Sequence, residues 1–265
     1  MVKTFEAKNY WALILGGSTG LGLAAAHKLA AHGMNICIVH RNTRVEMDNI
    51  QLAFGTIKAH GVQFISFNAD VLSKEKRSDV LLQLKTLMGE EGRIRCLLHS
   101  IAKGNLKAMT TENGPALETE DFRITIDNMA ISVYDWATDI LQRQLFATDA
   151  RILSFTSDGS YKALRHYAAV SAAKAALEAI TRSMALEFAP YGVRANCIRA
   201  GVTDTASLQK IPGNKTLMEY SKNNNPFQRL TTPSDVANVV YLLCKDEAAW
   251  INGAIIPVDG GAHIH

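Results

Sequence analysis

Two groups of residues in this chain have types and spacings that can do chemistry. The first is the glycine-rich run Gly16-Gly17-Ser18-Thr19-Gly20-Leu21-Gly22. Glycines permit a tight turn and let backbone N–H groups approach a pyrophosphate, whose charge then meets a helix N-terminus. The spacing is G-x3-G-x-G, and it carries meaning only if a strand precedes it and a helix follows. The second group is Tyr167 with Lys174. Seven helical residues turn through about 700°, which would put a phenol and an ammonium on one side of one helix. Each group also has an ordinary reading: a turn, a helix-start aromatic, and a lysine snorkelling over Ala172, Ala173, Ala175 and Ala176.

The elements that must position these residues are legible as alternating apolar runs and helical patterns. Continuous apolar stretches at 11–16, 34–40, 62–68, 94–99, 151–156, 193–198 and 253–258 read as parallel strands covered on both faces. Helical patterns lie between them at about 20–31, 44–59, 73–88, 118–146, 166–189 and 233–246. Strict alternation predicts an α/β, Rossmann-type doubly wound parallel sheet of about seven strands, folded as one domain over 1–265. The least regular stretch, 201–229, with Pro212, Gly213 and Asn223-Asn224-Asn225-Pro226, reads as a partly helical excursion over the carboxyl edge, placed to act as a lid. Thr232-Pro233-Ser234-Asp235 after it reads as a helix start.

With that frame the glycine run follows the first strand and opens the first helix. The end of the second strand then bears on the cofactor. A carboxylate there would bond an adenosine ribose; a cation would accommodate a 2′-phosphate. The chain offers His40, Arg41 and Arg44, with no acid before Glu46, so the charge favours NADPH. Asp70, at the end of the third strand beside Val71, either faces adenine or caps the next helix.

Composition excludes several classes. The 265 residues carry 28 Lys+Arg against 25 Asp+Glu, a net charge of +3 that is spread out, so no basic nucleic-acid arm is expected. Apolar residues at 48% and charged residues at 20% fit a globular chain. No apolar run approaches the roughly 20 residues needed to cross a bilayer, and a cytoplasmic location is expected. Cys37, Cys96, Cys197 and Cys244 have no CxxC or zinc-like spacing and read as buried reduced thiols. His263 and His265 have a metal-like spacing but read as a solvated tail, so no metal is expected.

Gly16 to Gly22, Asp70-Val71, Ser157, Tyr167, Lys174, Asn196 to Gly201 and Val258-Asp259-Gly260-Gly261 together resemble the short-chain dehydrogenase/reductase family over nearly the whole chain. Most members place tyrosine four residues before the lysine. Here that position is Val170, and the nearest phenol gives Tyr-x6-Lys. With His99-Ser100-Ile101-Ala102 and Ala200-Gly201, the spacing resembles the enoyl-acyl-carrier-protein reductase branch. The resemblance implies that Tyr167 donates to a developing enolate oxygen and that Lys174 holds the nicotinamide ribose. It places Ser157 where the family has its polarising serine, with Tyr161 nearby but out of register. Ser100, Ile101 and Ala102, and Gly201, Thr203 and Thr205, match positions that line the dinucleotide in relatives; loop capping is the ordinary reading of the two threonines. Asp127 or Asn128 takes the place of the usual helix asparagine.

The implied activity is NADPH-dependent reduction of the C=C bond of enoyl thioesters, with substrate carried on acyl carrier protein or coenzyme A. A displaced phenol suits it, because hydride lands two atoms from the oxygen where charge collects; the shift is about 4.5 Å along the axis. The alternatives are a carbonyl or 3-oxoacyl reductase, and a nucleotide-sensing protein without turnover. Relatives assemble as homotetramers through helices equivalent to 118–146 and 166–189.

Overall fold

The computed structural model describes residues 3–264. Its strands are β1 (Tyr10–Leu15), β2 (Asn35–His40), β3 (Phe64–Asn68), β4 (Arg93–His99), β5 (Phe146–Thr156), β6 (Val193–Ala200) and β7 (Ile255–Val258). They form one parallel sheet in the order β3-β2-β1-β4-β5-β6-β7. The order reverses between β1 and β4, and doubly wound sheets open a crevice at that carboxyl edge.

Alternation along β1 shows why the strands read as unbroken apolar runs. Trp11, Leu13 and Leu15 face one layer, with α3 (Lys74–Met88), α5 (Ser132–Gln142) and α6 (Ala168–Glu187). Ala12 and Ile14 face the other, with α1 (Gly20–Ala31), α2 (Met47–Lys58) and α8 (Pro233–Cys244). Both faces are buried, so neither selects polar residues. The four cysteines lie buried as free thiols.

Three boundaries differ from the sequence reading. The stretch 118–146 is not one helix: α4 (Thr119–Ile126) passes through a π-turn at Asp127–Ile131 into α5, and β5 already begins at Phe146. Asn128 makes this break, donating Nδ2–H to the Ile124 carbonyl, while its own carbonyl accepts from Ser132 Oγ at 2.8 Å. The pattern at 44–59 opens with a 3-10 turn, Arg44–Glu46, closed by Glu46 Oε2 accepting from the Thr43 N–H and hydroxyl. The helix read at 166–189 starts at Ala168. Tyr167 is its N-cap, and His166 before it has φ of 62°, in the left-handed region. Tyr167 is therefore placed by the loop, not by helical rotation from Lys174.

Between 201 and 229 the chain forms a 3-10 turn, Leu208–Lys210, and α7 (Asn214–Asn223), matching the partly helical excursion. The start of α8 is capped as read: Thr232 Oγ1 accepts from Asp235 N–H, and Asp235 Oδ2 accepts from Thr232 N–H at 2.8 Å. No helix among the described residues is long and apolar enough to cross a membrane. His263 pairs with Asp259 at 2.9 Å, and His265 lies outside the described residues.

Candidate active site

The glycine turn is built by close approach. Gly16 has φ of 86° and Gly20 has φ of 57°, and a Cβ on Gly16 would lie 2.4 Å from the Ser100 carbonyl oxygen. A Cβ on Gly22 would meet the Gly16 carbonyl at 2.4 Å and Ser100 Oγ at 2.9 Å. Ser100, whose N–H bonds the Leu15 carbonyl at 2.8 Å, thus locks β4 against the turn. Ile101 is half-buried and Ala102 exposed beyond it. Ser18 is half-buried and Thr19 exposed, and Leu21 packs on the α1 layer. Thr19 is the N-cap of α1 without a side-chain capping bond, and the first turn holds no acid. The N–H groups there lack competing side-chain acceptors, which suits an anion.

At the next corner the three cations separate. His40 is buried, edge-on to Phe54, with Nδ1 3.0 Å from Asn42 Oδ1. Burial lowers its pKa, with the Asn42 contact opposing. It is a packed ring rather than a solvent-facing charge. Arg41 and Arg44 are exposed. Arg41 pairs with Asp70 Oδ2. The other Asp70 oxygen accepts from Leu72 N–H at 3.0 Å, so Asp70 does cap its turn. Val71 is buried, its carbonyl held by Trp136 Nε1 at 2.9 Å.

Tyr167, Lys174 and Ser157 converge on the carboxyl end of β5. Lys174 is buried and donates Nζ–H to the Phe155 carbonyl at 2.7 Å. Burial holds its pKa down to about 8, with Cys197 and Glu178 opposing. Glu178, one helical turn on, accepts from Thr156 Oγ1 at 2.6 Å. The Tyr167 ring lies against Gly159, where a Cβ would come within 2.5 Å of Cε1. Burial raises the phenol's pKa and the adjacent Ser157 hydroxyl lowers it. Ser157 Oγ is buried and makes no hydrogen bond of standard geometry, which leaves it available to a ligand. Val170 packs with Met129 and Ala173, an apolar cluster that Tyr167 and Leu106 also touch. Tyr161 gives its hydroxyl to Asp158 Oδ1 at 3.0 Å and is not directed at Tyr167's phenol.

The π-turn separates the two candidates for the helix asparagine. Asn128 is buried and Asp127 exposed. Ser132, bonded to the Asn128 carbonyl, also contacts His99 Nε2 at 2.8 Å. His99 is held to about 3, first by burial and then by the Lys174 charge, so it is neutral at pH 7. Thr203 donates to the Gly201 carbonyl at 2.9 Å, and Thr205 Oγ1 accepts from Leu208 N–H at 3.3 Å. Both hydroxyls cap the loop. That loop crosses the glycine turn: Thr205 Cγ2 is 3.6 Å from where a Gly20 Cβ would be.

Sequence reasoning missed Gly159, Glu178 and Arg199. Gly159 gave no signal because its need for a missing side chain arises only when Tyr167 folds over it. Arg199 offered one, a charged residue near the carboxyl end of a strand, where a doubly wound sheet places its site.

Residues 16–263 match the family model described as Enoyl-(Acyl carrier protein) reductase. Over 188 residues the chain is 34% identical to the NADH enoyl-[acyl-carrier-protein] reductase FabI of Aquifex aeolicus, covering 68% of this chain and 67% of that protein. It is 26% identical over 253 residues to the peroxisomal 2,4-dienoyl-CoA reductase of Mus musculus, covering 95% and 82%. The structure superposes on a Burkholderia cenocepacia short-chain dehydrogenase in complex with NADP with a TM-score of 0.82, at 24% identity, covering 97% and 99%, a likeness of fold. Different reductions thus recur on this one framework, from enoyl to dienoyl thioesters. The chain belongs to the Enoyl-(Acyl carrier protein) reductase family within the short-chain dehydrogenase/reductase oxidoreductases.

Proposed function

We propose that this protein reduces the C=C bond of trans-2-enoyl thioesters with NADPH, as an enoyl-acyl-carrier-protein reductase of fatty acid synthesis acting in the cytoplasm. The observation that carries the reading is the place of the phenol. Val170, four residues before Lys174, is committed to apolar packing, and Tyr167 meets the end of β5 from the N-cap instead.

The residues present fit a dinucleotide. The N-terminus of α1 and its glycines would hold the pyrophosphate. Arg41 and Arg44 would take a 2′-phosphate, Arg41 exchanging its pair with Asp70. Asp70 and Val71 would border adenine, Ser100, Ile101 and Ala102 the adjoining ribose and phosphate path, and Gly201, Thr203 and Thr205 the nicotinamide side. When bound, NADPH supplies the hydride.

The chain's own groups do the rest. A raised pKa keeps the Tyr167 phenol protonated, so it donates a hydrogen bond to the thioester oxygen as charge grows there. Ser157 Oγ, beside the phenol, is the second donor. Lys174, as ammonium, holds ribose hydroxyls and favours negative charge beside the phenol. Leu106, Met129 and Val170 offer an apolar wall to the acyl chain, and the loop at 201–229 excludes water. Assembly as a homotetramer is part of this reading, with exposed Ile131 and Tyr134 near and on α5 and Leu186 on α6 as apolar surface.

NADPH oxidation measured with crotonyl and with acetoacetyl thioesters tests the proposal. Turnover of crotonyl thioester is expected. Preference for acetoacetyl thioester would make it a carbonyl reductase, and tight NADPH binding with no consumption would make it a sensor.

A further inference from the structure

Arg199 stands where a strand end meets the reacting loop. It pairs in register with Thr156, the last residue of β5 and the one before Ser157. Its side chain is mostly buried, at 16% exposure, and such a charge needs a partner. It finds two, both on the turn that follows β5. Its Nε lies 3.4 Å from Asp158 Oδ1, and its guanidinium stacks on the Tyr161 ring at 4.9 Å. Asp158 collects the rest of the turn. Its Oδ1 accepts from the Tyr161 hydroxyl at 3.0 Å, its Oδ2 from Lys162 Nζ at 2.9 Å, and its carbonyl from the N–H groups of Tyr161 and Lys162. Tyr161 is 54% exposed and could have left its hydroxyl in water. Instead it closes the ring of contacts.

Gly159 lies inside this turn, and Gly159 is the surface on which the Tyr167 ring rests. The turn therefore sets the distance of the phenol from Ser157 and from the end of β5. We propose that Arg199, Asp158 and Tyr161 form a clamp that fixes the 157–162 turn and thereby positions Tyr167. They are positioning residues: none of the three is assigned a contact with substrate or dinucleotide. The inference rests on the reading of Tyr167 as the proton-bearing phenol. The clamp is electrostatic on one side and stacked on the other, so lysine is a poor substitute for Arg199.

The test uses Arg199→Met and Asp158→Asn in the full chain, with NADPH and crotonyl thioester. Displacement of a reacting group by about 1 Å costs about a hundredfold. The expected result is kcat lowered about ten- to a hundredfold, with little change in KM for NADPH, whose glycine turn lies on other strands. Arg199→Lys recovers only part of the loss. Tyr161→Phe, altered at a half-exposed site, keeps the stack, loses one bond and falls less. An unchanged kcat would overturn the clamp. So would a loss expressed wholly as a raised KM for thioester, which would make Arg199 a substrate-binding cation.

A second readout does not depend on turnover. In protein labelled with 3-fluorotyrosine, the 19F signal of Tyr167 is identified by its absence in Tyr167→Phe. It shifts in Arg199→Met if the clamp positions the ring; an unmoved Tyr167 signal refutes the clamp. Wild-type protein inert towards every thioester would sink the functional reading alone, and the fluorine spectrum decides the clamp in either case.

Discussion

The two edges of one sheet handle their buried charges and hydroxyls differently. At the amino edge, Arg95 and Arg151 are fully buried and Arg194 partly so, all three gathered on Asp149. Their remaining donors cap the end of α8 and the segment after it: Arg95 bonds the Cys244 carbonyl at 2.8 Å, Arg151 that of Leu243 at 2.8 Å, and Arg194 that of Ala249 at 2.9 Å. At the carboxyl edge, Ser157 Oγ and Ser160 Oγ are buried with no hydrogen bond of standard geometry. Donors and acceptors satisfied within the chain hold structure; those left over are available to something that binds. The amino edge stabilises the sheet, and on the proposed reading the carboxyl edge keeps capacity for substrate and dinucleotide.

Substitutions at each edge should separate these roles. The largest effect is expected for Tyr167→Phe, which removes a proton donor and should lower thioester-dependent NADPH oxidation about 10²- to 10⁴-fold. Its unfolding free energy should stay near wild type, as read by urea denaturation. Asp149→Ala does the reverse. It leaves the buried guanidinium of Arg151 without a carboxylate, Arg95 keeping Asp246 at 2.8 Å, and a loss of about 3 kcal/mol is expected, since removing one partner of a buried ion pair leaves an uncompensated charge. Activity per folded molecule should hold, which thermal denaturation and an active-site titration would show together.

A pH profile sharpens the comparison further. Lys174 is held at about 8 by burial, so its ammonium is lost as pH rises through that value. Turnover that needs the cation falls over the same range. Glu178→Gln removes a charge that opposes the shift, and the falling limb of kcat/KM should move to lower pH. The smallest effect belongs to Arg41→Ala. Its exposed pair with Asp70 adds little to stability, within about 0.5 kcal/mol. Affinity for NADPH should drop about tenfold while that for NADH is unchanged, as removal of one charge-assisted phosphate contact predicts; calorimetric titration with both nucleotides checks it.

Legibility in the sequence followed the range of the interactions. The seven strands, the helix at Gly20–Ala31 and the capped start at Thr232 depend on residues a few positions apart, and all were readable. The π-turn at Asp127–Ile131 was not, because it depends on Asn128 and Ser132 meeting His99 from another strand. His40 looked like one of three equivalent cations at the corner. Folding turned it inward against Phe54 and left Arg41 and Arg44 outside.

By itself the sequence determined the sheet, its topology class and the glycine turn, since apolar runs and glycine spacing act locally; Tyr167 and Lys174 it only nominated. Only the tertiary structure decided how the phenol is held. Tyr167 and Lys174 were expected to share a helical face. Each instead reaches the end of β5 separately, an N-cap residue on Gly159 and a helix residue on the Phe155 carbonyl. That convergence depends on how the loop before the helix folds back on the end of β5, and no local periodicity records it.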